Sequence, residues 1–170
     1  MQWIYTDKLP VDFAAESRVW VYQSSRAFTP EESMQVNNLL KQFAGSWLSH
    51  GAKVKAYGQL FFGQFVVLMA DEAATGVSGC STDSSVRLIK QIEQQFSVNM
   101  FDRQLLAFVI NDAVQLVPLP QVQQALDTNT ISADTTYFNN LVQTKSELET
   151  KWLIPIKESW LSKRIPIAKS

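Results

Sequence analysis

Two periods of apolar spacing alternate along the chain, and they predict its elements. After a leader carrying Trp3, Ile4 and Tyr5, the run Val19-Trp20-Val21-Tyr22 is wholly β-branched and aromatic, which predicts a first strand. Thr29-Pro30-Glu31-Glu32 then has the form of a helix start: Thr as N-cap, Pro at the first helical position, Glu32 closing a capping box. Val36, Leu40, Phe43 and Trp47 follow at helical spacing, and His50-Gly51 is the expected stop. Val54 to Phe62 and Phe65 to Ala70 read as two strands turned at Gly63-Gln64. The second is apolar on both faces and is expected to be central.

A loop from Asp71 to Gly79 leads to a second helix, expected over Asp83 to Phe96 with Val86, Ile89, Ile92 and Phe96 as its stripe. Leu105 to Ile110 is a further strand, turned by Asn111-Asp112 into Val114 to Val117. The order βαββαβ predicts an α+β, ferredoxin-like split βαβ antiparallel sheet with an appended strand. Helices are expected over Pro120 to Leu126, over Asp134 to Trp152, and from Pro155 through Trp160 and Leu161. The expected organisation is a single domain overall. Residues 1–118 form the sheet, and the helical segment 119–170 packs on its open face or on a homodimer partner.

Composition narrows the function classes. The chain has 170 residues, 46% of them hydrophobic, and a formal charge of −1, so it can bury a core and is too apolar for disorder. One Cys and one His exclude an internal disulfide framework and any site needing two imidazoles. No cofactor or metal is expected. Without clustered Lys and Arg, nucleic acid is not an expected partner. The first residues lack a secretory signal, and the most apolar stretch, Leu60 to Ala70, is too short to span a membrane. A cytoplasmic location follows as the expectation.

Candidate chemistry concentrates in Gly76-Val77-Ser78-Gly79-Cys80-Ser81-Thr82-Asp83-Ser84-Ser85-Val86-Arg87. Gly79 allows close approach to the backbone. Ser81, Thr82, Ser84 and Ser85 add hydroxyls where a helix leaves N–H groups unpaired, and Arg87 or Arg26 supplies a counter-charge for an anion. The same residues also suit a plain, well-capped helix, and Asp83 would repel a phosphate. Cys80 before a helix start is a candidate nucleophile with His50 as its base, against the plainer reading of a small buried thiol. The pairs Asp71-Glu72 and Asp102-Arg103 are weaker acidic candidates, and Trp20 with Tyr22 reads as core rather than as a base-stacking platform.

Two familiar phosphate loops are absent. Six residues, not five, separate Cys80 from Arg87, and no Gly-Lys pair occurs anywhere, so neither a phosphatase loop nor a nucleotide-hydrolase loop is present. Residues 19–26, 47–51 and 79–87, with Thr144-Lys145-x-x-Leu148-Glu149, resemble a small family of uncharacterised bacterial proteins. Its members often carry the label "ABC transporter ATPase", which the missing Gly-Lys pair does not support here, and the resemblance brings no established function with it. The expected function is therefore a non-enzymatic module binding a small anionic ligand or a protein partner. The alternative is a cysteine-dependent enzyme built on Cys80 and His50.

Overall fold

The β-branched and aromatic run forms β1 (Arg18–Gln23), and the capping box opens α1 (Pro30–Ser46). Thr29 Oγ1 accepts from Glu32 N at 3.1 Å while Thr29 N donates to Glu32 Oε1 at 2.9 Å. The chain, whose structure is a computed structural model, is described over residues 3–49, 51–71 and 79–166, with backbone alone for Ser49 and for Gly79 to Thr82. A short ribbon follows, β2 (Leu48–Ser49) and β3 (Ala52–Lys53), then the hairpin β4 (Lys55–Phe61) and β5 (Phe65–Asp71), then α2 (Gly79–Phe96). The hairpin turns at Phe62 and Gly63, both at positive φ, one residue earlier than expected.

Further along are β6 (Leu105–Ile110), β7 (Ala113–Pro118), α3 (Val122–Asp127) and β8 (Thr136–Phe138). Then come α4 (Lys145–Lys151), β9 (Leu153–Pro155) and the single-turn α5 (Leu161–Arg164). Asn111 and Asp112, both at positive φ, make the expected two-residue turn between β6 and β7.

The elements gather into two compact units. The first holds the chain up to Phe101 together with Val142–Glu149; the second holds Asp102–Leu141 and the residues from Thr150 on. Two antiparallel sheets result, ordered β1-β5-β4 and β7-β6-β8-β9. The class is α+β as expected, but the full ferredoxin-like order is not formed. The antiparallel order β1-β5-β4 is the part a split βαβ sheet would share, whereas β6, expected beside β1, pairs with β7 and β8 in the other sheet. Leu105 to Ile110 spends its hydrogen bonds on its own hairpin partner and on Tyr137.

The expected helix over 134–152 is also corrected. Thr136 to Phe138 is β-branched and aromatic and pairs with β9, so only 145–151 is helical. The segment from Pro155 yields one 3₁₀ turn and α5 rather than a long helix.

In the first unit α1 and α2 lie on one sheet face. Val36 and Leu40 meet Leu88, Ile89, Ile92 and Phe96 over Val66, Leu68 and Leu60. Asn37 Oδ1 accepts from Leu60 N at 2.9 Å, so α1 also satisfies a main-chain donor of β4. Side chains alternate along β5, so Phe65, Val67 and Met69 face the other way, and all are fully buried. Their cover includes the leader and 142–149. Phe13 packs edge-on to Tyr57, Tyr5 to Phe62, and Phe62 in turn to Phe65. Tyr5 OH donates to Leu148 O at 2.6 Å, and burial, with Glu149 adding to it, pushes its phenol up to about 12.

In the second unit Leu106, Phe108 and Ile110 of β6 pack with Val122, Ile131, Tyr137, Ile156 and Leu161. Trp160 Nε1 donates to Tyr137 OH at 3.0 Å inside that core.

Candidate functional site

α2 starts four residues earlier than the hydroxyl cluster suggested. Gly79, Cys80, Ser81 and Thr82 form its first turn instead of lying before it. The main-chain N–H groups of Gly79, Cys80 and Ser81 are therefore among those that lack intrahelical partners, at the positive end of an 18-residue helix. No acidic residue lies in the first turn; Asp83 comes next and is exposed. The side chains of Cys80, Ser81 and Thr82 lie outside the described residues, as do Gly76 and the whole of His50, so the Cys80–His50 pairing does too.

The other candidates separate in space. Ser85 is fully buried, with Oγ 3.4 Å from Tyr22 OH, and shares the inward face with Ile89 and Ile92. Tyr22 itself stands edge-on to Phe101, and Trp20 packs at a tilt on Trp47 with ring centres 5.5 Å apart, so both β1 aromatics pack in the core. Ser84 is half-buried and Arg87 is exposed.

Arg26 sits at the opposite end of α2. Its Nη2 donates to Phe96 O at 2.7 Å, and its two Nη atoms reach Glu32 Oε1 and Oε2 at 2.8 and 2.9 Å. At 1.5 Å per residue the two ends of α2 are about 25 Å apart, so Arg26 lies far from Ser81–Ser85. It works as a clamp, tying the start of α1 to the last carbonyl of α2. Sequence reasoning missed this pair, although Glu32 was already identified as the capping-box acid.

That clamp carries a pH prediction. The Arg26 hydrogen bonds, then the Thr29 amide, hold the Glu32 carboxyl down at about 2 against an ordinary 4.5. A depressed carboxylate stabilises fully above its unfolded value, and the effect is lost as pH falls toward the folded value. The stability gap between the native chain and Glu32→Gln is therefore expected to close as acid unfolding curves move from about pH 5 to about pH 2. A gap constant over that interval would contradict it.

Of the weaker acidic candidates, Asp102 Oδ1 accepts from Gln104 N at 2.9 Å in a local turn. Asp71 is buried at the end of β5, with Lys55 Nζ 3.9 Å from its Oδ2, and Glu72 lies outside the described residues. Among the described residues no three His, Cys, Asp or Glu side chains group as a metal site. No described helix is long and apolar enough to cross a membrane. No family model, curated protein or solved structure matches the chain.

Proposed function

We propose that this chain is a binding module that takes a small anionic ligand at the amino end of α2. The observation that carries the reading is the placement of the helix start. An 18-residue helix opens on Gly-Cys-Ser-Thr with no carboxylate in its first turn. A helix end of that kind offers several N–H donors and a partial positive charge to phosphate, sulfate or carboxylate. The repulsion expected from Asp83 weakens, because Asp83 follows the first turn instead of lying at the cap.

The test is a titration of the full chain with inorganic phosphate, sulfate and acetate, followed by amide chemical shifts. Saturable shifts at residues 79–82 are expected. Ser81→Ala and Thr82→Ala are each expected to weaken binding about tenfold, the worth of one hydrogen bond to a charged acceptor. Cys80→Ser leaves binding nearly intact under this reading and abolishes turnover under the cysteine-enzyme reading. Amides at 79–82 that stay still at millimolar anion would defeat the proposal.

A further inference from the structure

We infer that residues 3–13 are a releasable strap over the second face of the β1-β5-β4 sheet, hinged at residues 14–17 and latched by two lysines. The strap buries Tyr5, Leu9 and Phe13 but pairs with no strand; its one regular piece is a 3₁₀ turn over Thr6–Lys8. Its tethers run from side chains to its main chain. Lys145 Nζ donates to Phe13 O at 3.0 Å, Lys55 Nζ donates to Asp12 O, and Tyr57 OH donates to Lys8 O at 2.8 Å. Lys55 also sits 3.3 Å from Asp12 Oδ2 and 4.8 Å from the Phe13 ring centre. Adjacent carbonyls at one end of the strap are thus held by ammonium groups from two different elements, β4 and α4. Lys145 is itself buried beside Phe13, 3.7 Å from Glu149 Oε1.

The hinge carries a penalty in the closed form. Ala14 to Ser17 is a turn closed by Ser17 N donating to Ala14 O at 3.0 Å, and Ala15 and Glu16 are exposed. Ser17 is 1% exposed, yet its Oγ has no hydrogen-bond partner among the described residues. A buried hydroxyl without a partner opposes the closed state, and swinging the strap outward hydrates it. The hinge carbonyls also accept from α4: Lys145 N to Ser17 O and Ser146 N to Ala15 O, both at 2.9 Å. Opening the hinge therefore frees those two amides together with the strap. The open form presents Tyr57, Phe62 and Phe65 to solvent without unfolding the sheet, a local opening of the kind hydrogen exchange detects.

Trypsin reads the equilibrium directly, because the Lys8–Leu9 bond is held against the sheet when the strap is closed and cleavage follows the open population. Released residues 1–8, followed by mass, give the rate on the full chain under native conditions. Lys145→Met is expected to raise that rate about tenfold and Ser17→Ala to lower it several-fold, since the first breaks the latch and the second removes the unpaired hydroxyl. If Lys145→Met does not fold, Lys55→Met tests the other latch in the same assay. The Lys145 and Ser146 amides are expected to exchange with a urea dependence much shallower than that of the β5 amides. Cleavage unchanged in these variants, or a urea slope equal to that of global unfolding, overturns the strap. Either result leaves the α2 ligand reading where it stands.

Discussion

Leu68→Ala is expected to destabilise the first unit by about 2–5 kcal/mol, the range for removing a buried Leu side chain that leaves a cavity. Leu68 lies mid-strand in β5, in register with Trp20 on one side and Gly58 on the other, and is fully buried beneath both helices. Gly58 makes the prediction sharper. A Cβ there would meet Leu68 Cδ2 at 3.1 Å, Leu40 Cβ at 3.3 Å and Leu40 O at 3.4 Å, so α1 crosses β4 where no side chain fits easily. Gly58→Ala alone is expected to cost about 1–3 kcal/mol through overpacking. In the Leu68→Ala background the new methyl group has the vacated space beside it. The double variant is then expected to lose at least about 0.5 kcal/mol less than the sum of the singles. Urea unfolding with an unchanged slope measures all three. Strict additivity would mean that Gly58 and Leu68 do not share the contact.

Local chemistry was legible where one segment decided the outcome. The α1 start was readable because cap, Pro30 and Glu32 all lie within four residues and satisfy each other. The central place of β5 followed from its apolar faces, both of which are buried. Boundaries failed where a side chain stays buried after its element ends. Trp47 continues the Val36-Leu40-Phe43 stripe, but its backbone is extended; the helix has stopped at Ser46, and the indole still packs on Phe43 and Trp20. At α2 the hydroxyl cluster resembled a cap, yet Ser and Thr are tolerated inside a first turn, so the start moved to Gly79.

The sheet to which β6 belongs was not legible, because pairing compares hydrogen-bond partners far apart in sequence. The same limit hid the strap. Tyr5, Leu9 and Phe13 recur every four residues, a visible signal, but the lysines that hold them lie at positions 55 and 145. The candidate ligand set was split for a related reason. A helix distributes neighbours around its axis, so Ser85 turned inward and Arg87 outward, while Arg26 was drawn to Phe96.

The second unit's largest expected loss comes from Trp152→Ala, at about 3–5 kcal/mol. Trp152 separates α4's last residue from β9, is fully buried, and stands edge-on to Phe138 with ring centres 5.8 Å apart. Its Nε1 donates to Asn140 Oδ1 at 3.0 Å, and its carbonyl accepts from Asn139 N at 2.6 Å. The side chain therefore supplies both ring volume and a donor to the Asn140 side-chain oxygen, next to the ladder that pairs Phe138 with Leu153. Trp152→Phe keeps most of the apolar contact and removes the indole N–H, so it is expected to lose only about 1–2 kcal/mol. In Trp152→Ala the amides of β8 and β9 are expected to lose exchange protection, because the aromatic contact beside that three-residue pairing is gone. If the Phe and Ala variants lose equal stability, the Asn140 hydrogen bond carries the effect and the packing account of Trp152 is wrong.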